Sequence, residues 1–239
     1  MSTPDTPTTI VLITGASRGM GARTAAELAA TGATVFAGAR RPEELTARLR
    51  EAGTAGDIRP IALDVTKDAS VAAAAAHIQG SVGALDVLIN NAGVPGTWAP
   101  AADVGPDDFS QVLATNVLGP VRVTQVFLPL LRRGTHPRLV MVSSGMGSLT
   151  SQSTDAVYAD IAHRPYPASK AAMNMLTVQY AKALPGIVVT AVDPGLTATE
   201  FTGGAGHSIA QGAEVIVSAA LDTAGASGCF MDRHGITAW

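Results

Sequence analysis

Short apolar runs alternate with longer alanine-rich stretches along almost the entire chain. The runs are rich in β-branched residues and about four to six positions long, which is typical of strands covered on both faces. They predict strands at 9–14, 34–38, 58–63, 85–90, 138–143, 187–192 and 228–231. The stretches between them predict helices at 20–31, 42–51, 68–79, 106–132, 166–184 and 208–223.

Local signals support these helix boundaries. Pro42 and Pro106 are each followed by two acidic residues, and Gly32 follows the first predicted helix. Proline is tolerated at the first helical position, early acids complement the helix dipole, and glycine ends helices. Strictly alternating strands and helices predict a Rossmann-type α/β fold, a doubly wound parallel sheet of about seven strands with helices on both faces. We expect one domain over residues 9–239, preceded by a flexible tail at 1–8.

Composition excludes several classes of function. The 239 residues carry a net charge of −3, so a nucleic-acid surface is not expected. The N-terminus lacks the basic and apolar blocks of a signal peptide, and the run Ile10–Ile13 is too short to span a membrane. The five histidines show no metal-ligand spacing, and Cys229 is the single cysteine. We therefore expect a cytoplasmic protein without a metal ion, a membrane partner or an intrachain disulfide.

The first predicted strand leads into a glycine-rich turn, Thr14-Gly15-Ala16-Ser17-Arg18-Gly19-Met20-Gly21. Glycines at a strand-to-helix turn let the backbone approach a pyrophosphate, and the helix N-terminus supplies free N–H groups. The spacing is G-x-x-x-G-x-G, and its position in the first strand–helix unit favours a dinucleotide site over an ordinary turn.

From this turn onward the chain resembles the short-chain dehydrogenase/reductases. Matching motifs follow in the family's order, and these are Asp64-Val65, Asn90-Asn91-Ala92-Gly93, Asn116, Ser143-Ser144, Tyr166-Pro167-Ala168-Ser169-Lys170 and Pro194-Gly195. The resemblance implies a cofactor site formed by Gly15, Ser17, Arg18, Gly19, Met20, Gly21, Arg40, Asp64, Val65, Asn91, Ala92, Gly93, Tyr166, Lys170, Pro194, Gly195 and Thr197. It also implies a catalytic set of Asn116, Ser144, Tyr166 and Lys170.

The second predicted strand indicates which cofactor to expect. An acid about 20 residues past the glycine turn would bind the ribose 2′-hydroxyl of NAD. This chain has Ala39 where NAD-using relatives carry Asp, and Arg40 follows it. Arg40 and Arg18 are suited to a 2′-phosphate through charge-assisted hydrogen bonds. NADP(H) is therefore expected, although exposed arginines after a strand are also ordinary surface residues.

Tyr166 and Lys170 are four residues apart, so they share one face of a helix. A nearby ammonium favours the phenolate, and we expect it to lower the pKa of Tyr166. The resemblance makes Tyr166 the proton donor and Ser144 the hydrogen-bond donor to the substrate oxygen. Tyr158 lacks a lysine four residues on and is not expected to take the acid/base role.

Pro120 lies four residues after Asn116 and cannot donate a helical hydrogen bond to the Asn116 carbonyl. We therefore expect a kink near Gly119-Pro120 if this stretch is helical. In the family, the corresponding carbonyl binds a water on a proton path toward the lysine. A simple helix break would produce the same kink without that water.

The long segment 145–165 and the C-terminal residues resemble a carbonyl-reductase-like subgroup. Monomer, homodimer and homotetramer stay open, because the segment is able to obstruct helix pairing between subunits. Apolar candidates for the pocket are Val94, Trp98, Met146, Leu149 and Phe201. The sequence therefore predicts an NADPH-dependent reductase of a ketone or aldehyde. The alternatives are an NADP-binding sensor or scaffold without catalysis, and an alcohol dehydrogenase working in the oxidative direction.

Overall fold

The computed structural model describes residues 8–51 and 53–239. Within them the strands form one sheet in the order β3-β2-β1-β4-β5-β6-β7-β8. Their bounds are β1 Ile10–Ile13, β2 Thr34–Ala39, β3 Asp57–Ala62, β4 Val87–Asn90, β5 Arg138–Val142, β6 Val188–Val192, β7 Cys229–Asp232 and β8 Gly235–Ile236. Neighbours from β3 to β7 are parallel, which confirms the Rossmann-type α/β prediction.

The eighth strand was not predicted. β8 is two residues long and pairs antiparallel with β7, through Met231–Ile236 and Asp232–Gly235. A two-residue strand has no alternating or continuous apolar run to reveal it. The other predicted strands lie within three residues of their observed ends.

Helices cover both faces of the sheet. They are α1 Gly19–Ala30, α2 Pro42–Glu51, α3 Asp68–Ser81, α4 Pro106–Leu113, α5 Gly119–Leu131, α6 Leu149–Thr154, α7 Pro165–Ala183 and α8 Ile209–Leu221. Because successive strand residues point to opposite faces, Leu12 packs with α3, α5 and α7, while Val11 and Ile13 pack with α1, α2 and α8. The central strands β2, β4 and β5 are therefore buried on both sides, as their continuous apolar runs predicted, while β3 at the edge is exposed at alternate positions.

The helix predicted at 106–132 is present, but it is not a regular α-helix along its whole length. A π-helical turn, Ala114–Leu118, separates α4 from α5, and the Gly119 N–H bonds the Ala114 carbonyl five residues back. The break falls at the predicted kink, directly before Pro120. Such π turns occur often at functional sites.

The predicted N-terminal tail lies, apart from Thr8, outside the described residues. Among the described helices, none combines the length and the apolar character needed to cross a membrane.

Candidate active site

The candidate site lies along the carboxyl ends of β1, β4, β5 and β6. The strand order reverses between β1 and β4, because β2 and β3 lie on one side of β1 and the later strands on the other. Open α/β sheets bind ligands at this point of reversal. The predicted site residues all follow the ends of these strands or of β2 and β3, or lie on α1, α7 or the π turn.

The glycine-rich turn has the geometry of a phosphate cradle. Gly15 and Gly19 adopt φ values of +67° and +58°, which favour glycine. A Cβ on Gly15 would lie 2.8 Å from the Ala92 Cα, and a Cβ on Gly21 would lie 2.5 Å from the Gly15 carbonyl oxygen. No larger residue fits at either position without moving the backbone.

The N-terminus of α1 is not capped by a side chain. Arg18 occupies the cap position but its side chain makes no capping hydrogen bond to the helix, and the first turn of α1 contains no acid. The free N–H groups and the positive end of the helix dipole therefore face the glycine-rich turn. These residues fit a pyrophosphate, the group that a dinucleotide cofactor would present here.

Thr14 and Asn91 hold the glycine-rich turn against the end of β4. The Asn91 side-chain amide donates to the Thr14 carbonyl at 2.8 Å and to the Gly15 carbonyl at 3.2 Å. The backbone N–H groups of Asn91 and Ala92 both donate to Thr14 Oγ1 at 3.0 Å. These predicted cofactor residues thus have a structural role, since they set the distance between two loops of the cleft.

Residues at the ends of β2 and β3 form the next part of the cleft. Asp64 accepts hydrogen bonds from the Thr66 N–H at 2.9 Å and the Thr66 hydroxyl at 2.7 Å. Burial opposes ionisation, but these hydrogen bonds and the charge of the neighbouring Arg40 hold the pKa of the Asp64 carboxyl below its ordinary value. Val65 is buried and packs beside Gly119, at the start of α5.

Tyr166 and Lys170 lie on the first turns of α7 and face the end of β5. The Lys170 Nζ is 5.4 Å from the centre of the Tyr166 ring and donates to the Val142 carbonyl at 2.7 Å. Ser144 follows β5, and its side chain lies near enough to the Tyr166 hydroxyl to influence the pKa of that group. The structure therefore brings Ser144, Tyr166 and Lys170 together, as the sequence predicted.

The expected lowering of the Tyr166 pKa is wrong for this structure. Burial raises the pKa of Tyr166 well above its ordinary value, the neighbouring Ser144 side chain opposes the rise, and the carboxylate of Asp193 adds to it. Burial also lowers the pKa of Lys170 to about 8, against the opposing charge of Asp193. The reason is desolvation, which disfavours both the phenolate and the ammonium. Tyr166 is thereby kept protonated, as a proton donor must be.

Asn116 connects the π turn to the cleft. Its side chain is fully buried, and its amide donates to the Val94 carbonyl and to Ser169 Oγ, both at 3.0 Å. Its amide oxygen accepts from the Val94 N–H at 2.9 Å. Asn116 thus ties the loop after β4, which includes Gly93, to the helix that carries Tyr166 and Lys170.

The loop after β6 has Pro194, Gly195 and Thr197 at its start. Gly195 adopts a φ of +70°, and a Cβ there would lie 2.9 Å from His207 Nε2. Thr197 is buried, and its hydroxyl donates to the Gly195 carbonyl at 3.2 Å. The loop is therefore tightly folded onto itself beside the cleft.

Three residues of the glycine-rich turn have partners that the sequence did not predict. Arg18 forms an ion pair with Glu200 in the loop after β6, and both side chains are largely exposed. Ser17 accepts a hydrogen bond at its carbonyl from the Arg48 guanidinium at 3.0 Å. Met20 packs against Gly212 of α8. Arg48 is missed by sequence reasoning because nothing in the pattern of α2 shows that its guanidinium reaches back to this turn.

Aromatic rings line the open side of Tyr166. Trp98 stacks on His163 with ring centres 4.0 Å apart, and Phe201 meets Tyr166 edge-on at 5.2 Å. His163 is buried and is held by a hydrogen bond between Nε2 and the Pro95 carbonyl at 2.8 Å. Trp98 and Phe201 are 61% and 40% exposed. These side chains form an apolar wall next to the predicted proton donor.

Asp193 and Tyr158 are site residues that sequence reasoning missed. Both lie beside Gly145, where a Cβ would collide with the Tyr158 hydroxyl and would be 2.7 Å from Asp193 Oδ2. The only sequence signal for Asp193 is its position between a buried strand and Pro194-Gly195. Nothing in the sequence shows that the Tyr158 ring reaches the strand end.

Comparison with known proteins identifies the family. A family profile described as short chain dehydrogenase matches residues 9–210. The chain belongs to the short-chain dehydrogenase family. It is similar to the short-chain dehydrogenase anuI of Penicillium roqueforti, with 38% identity over 224 residues that cover 89% of this chain and 88% of that protein. The predicted resemblance is therefore confirmed, and the chain is an oxidoreductase of the NAD(P)-dependent type.

Two further relatives carry more specific descriptions. The NADPH-dependent pterin aldehyde reductase of Arabidopsis thaliana is 37% identical over 192 residues, which cover 80% of this chain and 76% of that protein. The crystal structure of NADPH-bound carbonyl reductase from chicken fatty liver matches with a TM-score of 0.86 and 26% identity, over 97% of this chain and 99% of that one. The short-chain dehydrogenase fold thus extends over nearly the whole described chain.

Proposed function

We propose that this protein is an NADPH-dependent reductase that converts a ketone or an aldehyde to an alcohol, with Tyr166 as the proton donor. The observation that carries the proposal is the placement of Tyr166 beside the buried Lys170, whose Nζ lies 5.4 Å from the centre of the Tyr166 ring, with Ser144 at the end of β5. The two relatives described as NADPH-dependent or NADPH-bound reductases support reduction with NADPH as the reaction.

Ser144, Tyr166 and Lys170 have separate roles in the proposed reduction. When bound, the cofactor supplies the hydride that reaches the carbonyl carbon. Ser144 donates a hydrogen bond to the substrate oxygen as negative charge develops there, and Tyr166 transfers its proton to that oxygen. Lys170 lies behind Tyr166 and bonds the Val142 carbonyl, which fixes its ammonium beside the phenol.

The two alternatives are less well supported. A sensor or scaffold without catalysis has no need of a buried lysine beside a desolvated tyrosine, an arrangement that opposes the charged form of both groups. An alcohol dehydrogenase would use the same Tyr166 in the reverse step, and it is the relatives described as reductases that favour the reductive direction.

The preference for NADPH rests on the end of β2. Ala39 is buried there and leaves no carboxylate for a ribose 2′-hydroxyl, while Arg40 is exposed beside Asp64. Arg18 is exposed as well, although its guanidinium is paired with Glu200. We therefore assign the main contact with a 2′-phosphate to Arg40 and a supporting one to Arg18.

Arg40→Ala tests this assignment. We expect KM for NADPH to rise about 10- to 100-fold and KM for NADH to change little, because a charge-assisted hydrogen bond to phosphate is lost. Arg41→Ala is the matched control, since Arg41 is paired with Glu44 at 2.7 Å on the surface. An equal increase in KM for NADPH and for NADH would contradict the assignment.

A further inference from the structure

Two exposed aromatic side chains lie beside Tyr166. Among residues 8–51 and 53–239, Trp98 and Phe201 are the only tryptophan and phenylalanine side chains that are exposed, and the remaining ones are buried or partly buried. Exposed apolar residues scattered singly are ordinary on a protein surface, but a group of them at one place indicates a binding surface. The position of both rings next to the proposed proton donor therefore indicates a ligand of the active site.

The rings form a continuous surface around Tyr166. Phe201 meets Tyr166 edge-on, with ring centres 5.2 Å apart. Trp98 stacks on His163 at 4.0 Å with an angle of 10° between the planes, and His163 lies 6.4 Å from Tyr166 at an angle of 17°. The planes of Trp98, His163 and Tyr166 are therefore close to parallel. These three rings and Phe201 are called the aromatic wall below.

Trp98 is held in place from both ends of its loop. His163, on which it stacks, is buried and forms a hydrogen bond of 2.8 Å with the Pro95 carbonyl. The Arg164 guanidinium donates to the Pro100 carbonyl at 3.1 Å. One face of the indole covers the imidazole, and the side chain as a whole is still 61% exposed. The other face of Trp98 is therefore open to a ligand.

Phe201 is held in place by the loop after β6. Its neighbour Glu200 is paired with Arg18 of the glycine-rich turn. On the other side, the Thr202 hydroxyl donates to the Thr197 carbonyl at 2.6 Å. Both exposed rings are thus fixed before a ligand arrives, which reduces the entropy that is lost on binding.

The two exposed rings differ in their distance from the proposed proton donor. A carbonyl oxygen that receives the Tyr166 proton must lie within hydrogen-bond reach of that hydroxyl. Phe201 contacts the Tyr166 ring directly, whereas the His163 ring lies between Tyr166 and Trp98. A group attached to the carbonyl carbon therefore meets Phe201 first, and Trp98 is reached only by a second group farther from the carbonyl.

We propose that the aromatic wall is a substrate subsite for aryl aldehydes and aryl ketones, in which the first ring packs on Phe201 and a second ring packs on Trp98. The inference rests on the proposed function and deepens it, because it names the substrate class. Aromatic pairs contribute about 2- to 10-fold in affinity beyond the area that they bury. A saturated ring of similar size gains the burial but lacks this contribution.

Trp98→Leu tests the outer part of the subsite, because it keeps an apolar side chain and removes the indole. The substrates are 4-phenylbenzaldehyde and 4-cyclohexylbenzaldehyde, which differ only in their second ring. We expect kcat/KM for the phenyl compound to fall about 2- to 10-fold relative to that for the cyclohexyl compound. Trp98→Phe should retain most of the preference, because it keeps an aromatic ring at this position.

Phe201→Leu tests the inner part, with benzaldehyde and cyclohexanecarbaldehyde as the substrates. These two compounds differ in reactivity, so the measured quantity is the change in the ratio of their kcat/KM values between variant and wild type. We expect the ratio to fall about 2- to 10-fold. Trp239→Leu is the matched control, since Trp239 stacks on Phe230 at 5.5 Å and has no contact with the aromatic wall.

A ratio that is unchanged in Trp98→Leu or in Phe201→Leu would overturn the assignment of that ring, and an equal fall in Trp239→Leu would overturn the inference. Calorimetric binding of 4-phenylbenzamide and 4-cyclohexylbenzamide to the complex with NADP⁺ repeats the comparison without turnover. Tighter binding of the phenyl amide without reduction of any carbonyl would count against the proposed function alone. Reduction of all four aldehydes with ratios that the variants leave unchanged would count against the aryl subsite alone.

Discussion

Ser143 and Ser144 are adjacent in the chain, but their hydroxyl groups have different partners. The Ser143 hydroxyl is buried and donates to the Asn174 amide oxygen at 2.5 Å. Ser144 is partly buried, and its hydroxyl oxygen accepts only from the Met146 N–H, at 3.2 Å, among the described residues. In the sequence, Ser144 was chosen over Ser143 because it matches the serine of the family motif. The structure gives a physical reason, because the Ser143 hydroxyl is already bonded to Asn174.

Ser144→Ala is expected to lower kcat about 100-fold with little loss of stability, because one hydrogen bond to the developing oxyanion is removed. Steady-state kinetics and thermal unfolding measure the two effects. Ser143→Ala is the control and should show the opposite pattern, a loss of about 1 to 3 kcal/mol in the free energy of unfolding from the unpaired Asn174 group. Similar kcat losses in both variants would contradict the assignment.

Lys170 makes stability depend on pH. Its ordinary pKa is 10.5, and burial lowers it to about 8 in the folded protein. Between these values the unfolded chain binds more protons than the folded one, so the free energy of unfolding rises with pH. The pKa of Tyr166 is raised above its ordinary value of 10 in the folded protein. Above pH 10 this group therefore lowers the free energy of unfolding as the pH rises, which opposes the effect of Lys170 at the upper end of the window.

We expect the free energy of unfolding to rise by up to about 3 kcal/mol between pH 8 and 10.5 because of Lys170. Denaturant unfolding at a series of pH values measures the rise. In Lys170→Met the rise should be absent, because the group that titrates is gone. A rise that persists in this variant would show that another group is responsible.

Regular elements were predictable from the sequence because each has a strong local signal. α2 has its predicted bounds, Pro42–Glu51, since proline and two acids begin it. β2 is buried at every position, as its apolar run indicated. The π turn at Ala114–Leu118 was foreseen only as a kink, because Pro120 shows where a hydrogen bond is missing but not how the backbone adjusts.

The turn between β1 and α1 is held by hydrogen bonds to the end of β4, and the two segments form one structural unit. A Cβ on Gly21 would collide with the Gly15 carbonyl and with the Asn91 side-chain amide, at 2.5 and 2.6 Å. Both groups take part in the hydrogen bonds that hold the cradle. Space at Gly21 is therefore required for the shape of the phosphate site.

Gly21→Ala is expected to weaken NADPH binding at least about tenfold, because the cradle must move to accept the methyl group. Fluorescence titration with NADPH measures the affinity. Gly80→Ala in α3 is the control, since a Cβ there has no neighbour within 4 Å and alanine favours a helix. Unchanged affinity in Gly21→Ala would contradict the proposed cradle.

At the scale of the molecule, the sequence predicted the strand alternation and the family, but not how charge is distributed in the candidate site. The lowered pKa expected for Tyr166 was wrong, because burial depends on elements far away in the chain. Asp193 and Tyr158 were missed for the same reason, since β6 and the segment after β5 meet only in the folded protein. Contacts of this kind are set by topology and have no local pattern.

The most direct test of the account is NADPH oxidation, followed by absorbance, with a panel of ketones and aldehydes. Wild type and Tyr166→Phe are compared, with NADPH binding measured for both. We expect turnover by the wild type and a loss of at least about 100-fold in Tyr166→Phe with binding retained, because the variant keeps the ring and lacks the proton. Equal turnover by the two proteins, or NADPH binding without reduction of any carbonyl, would contradict the account.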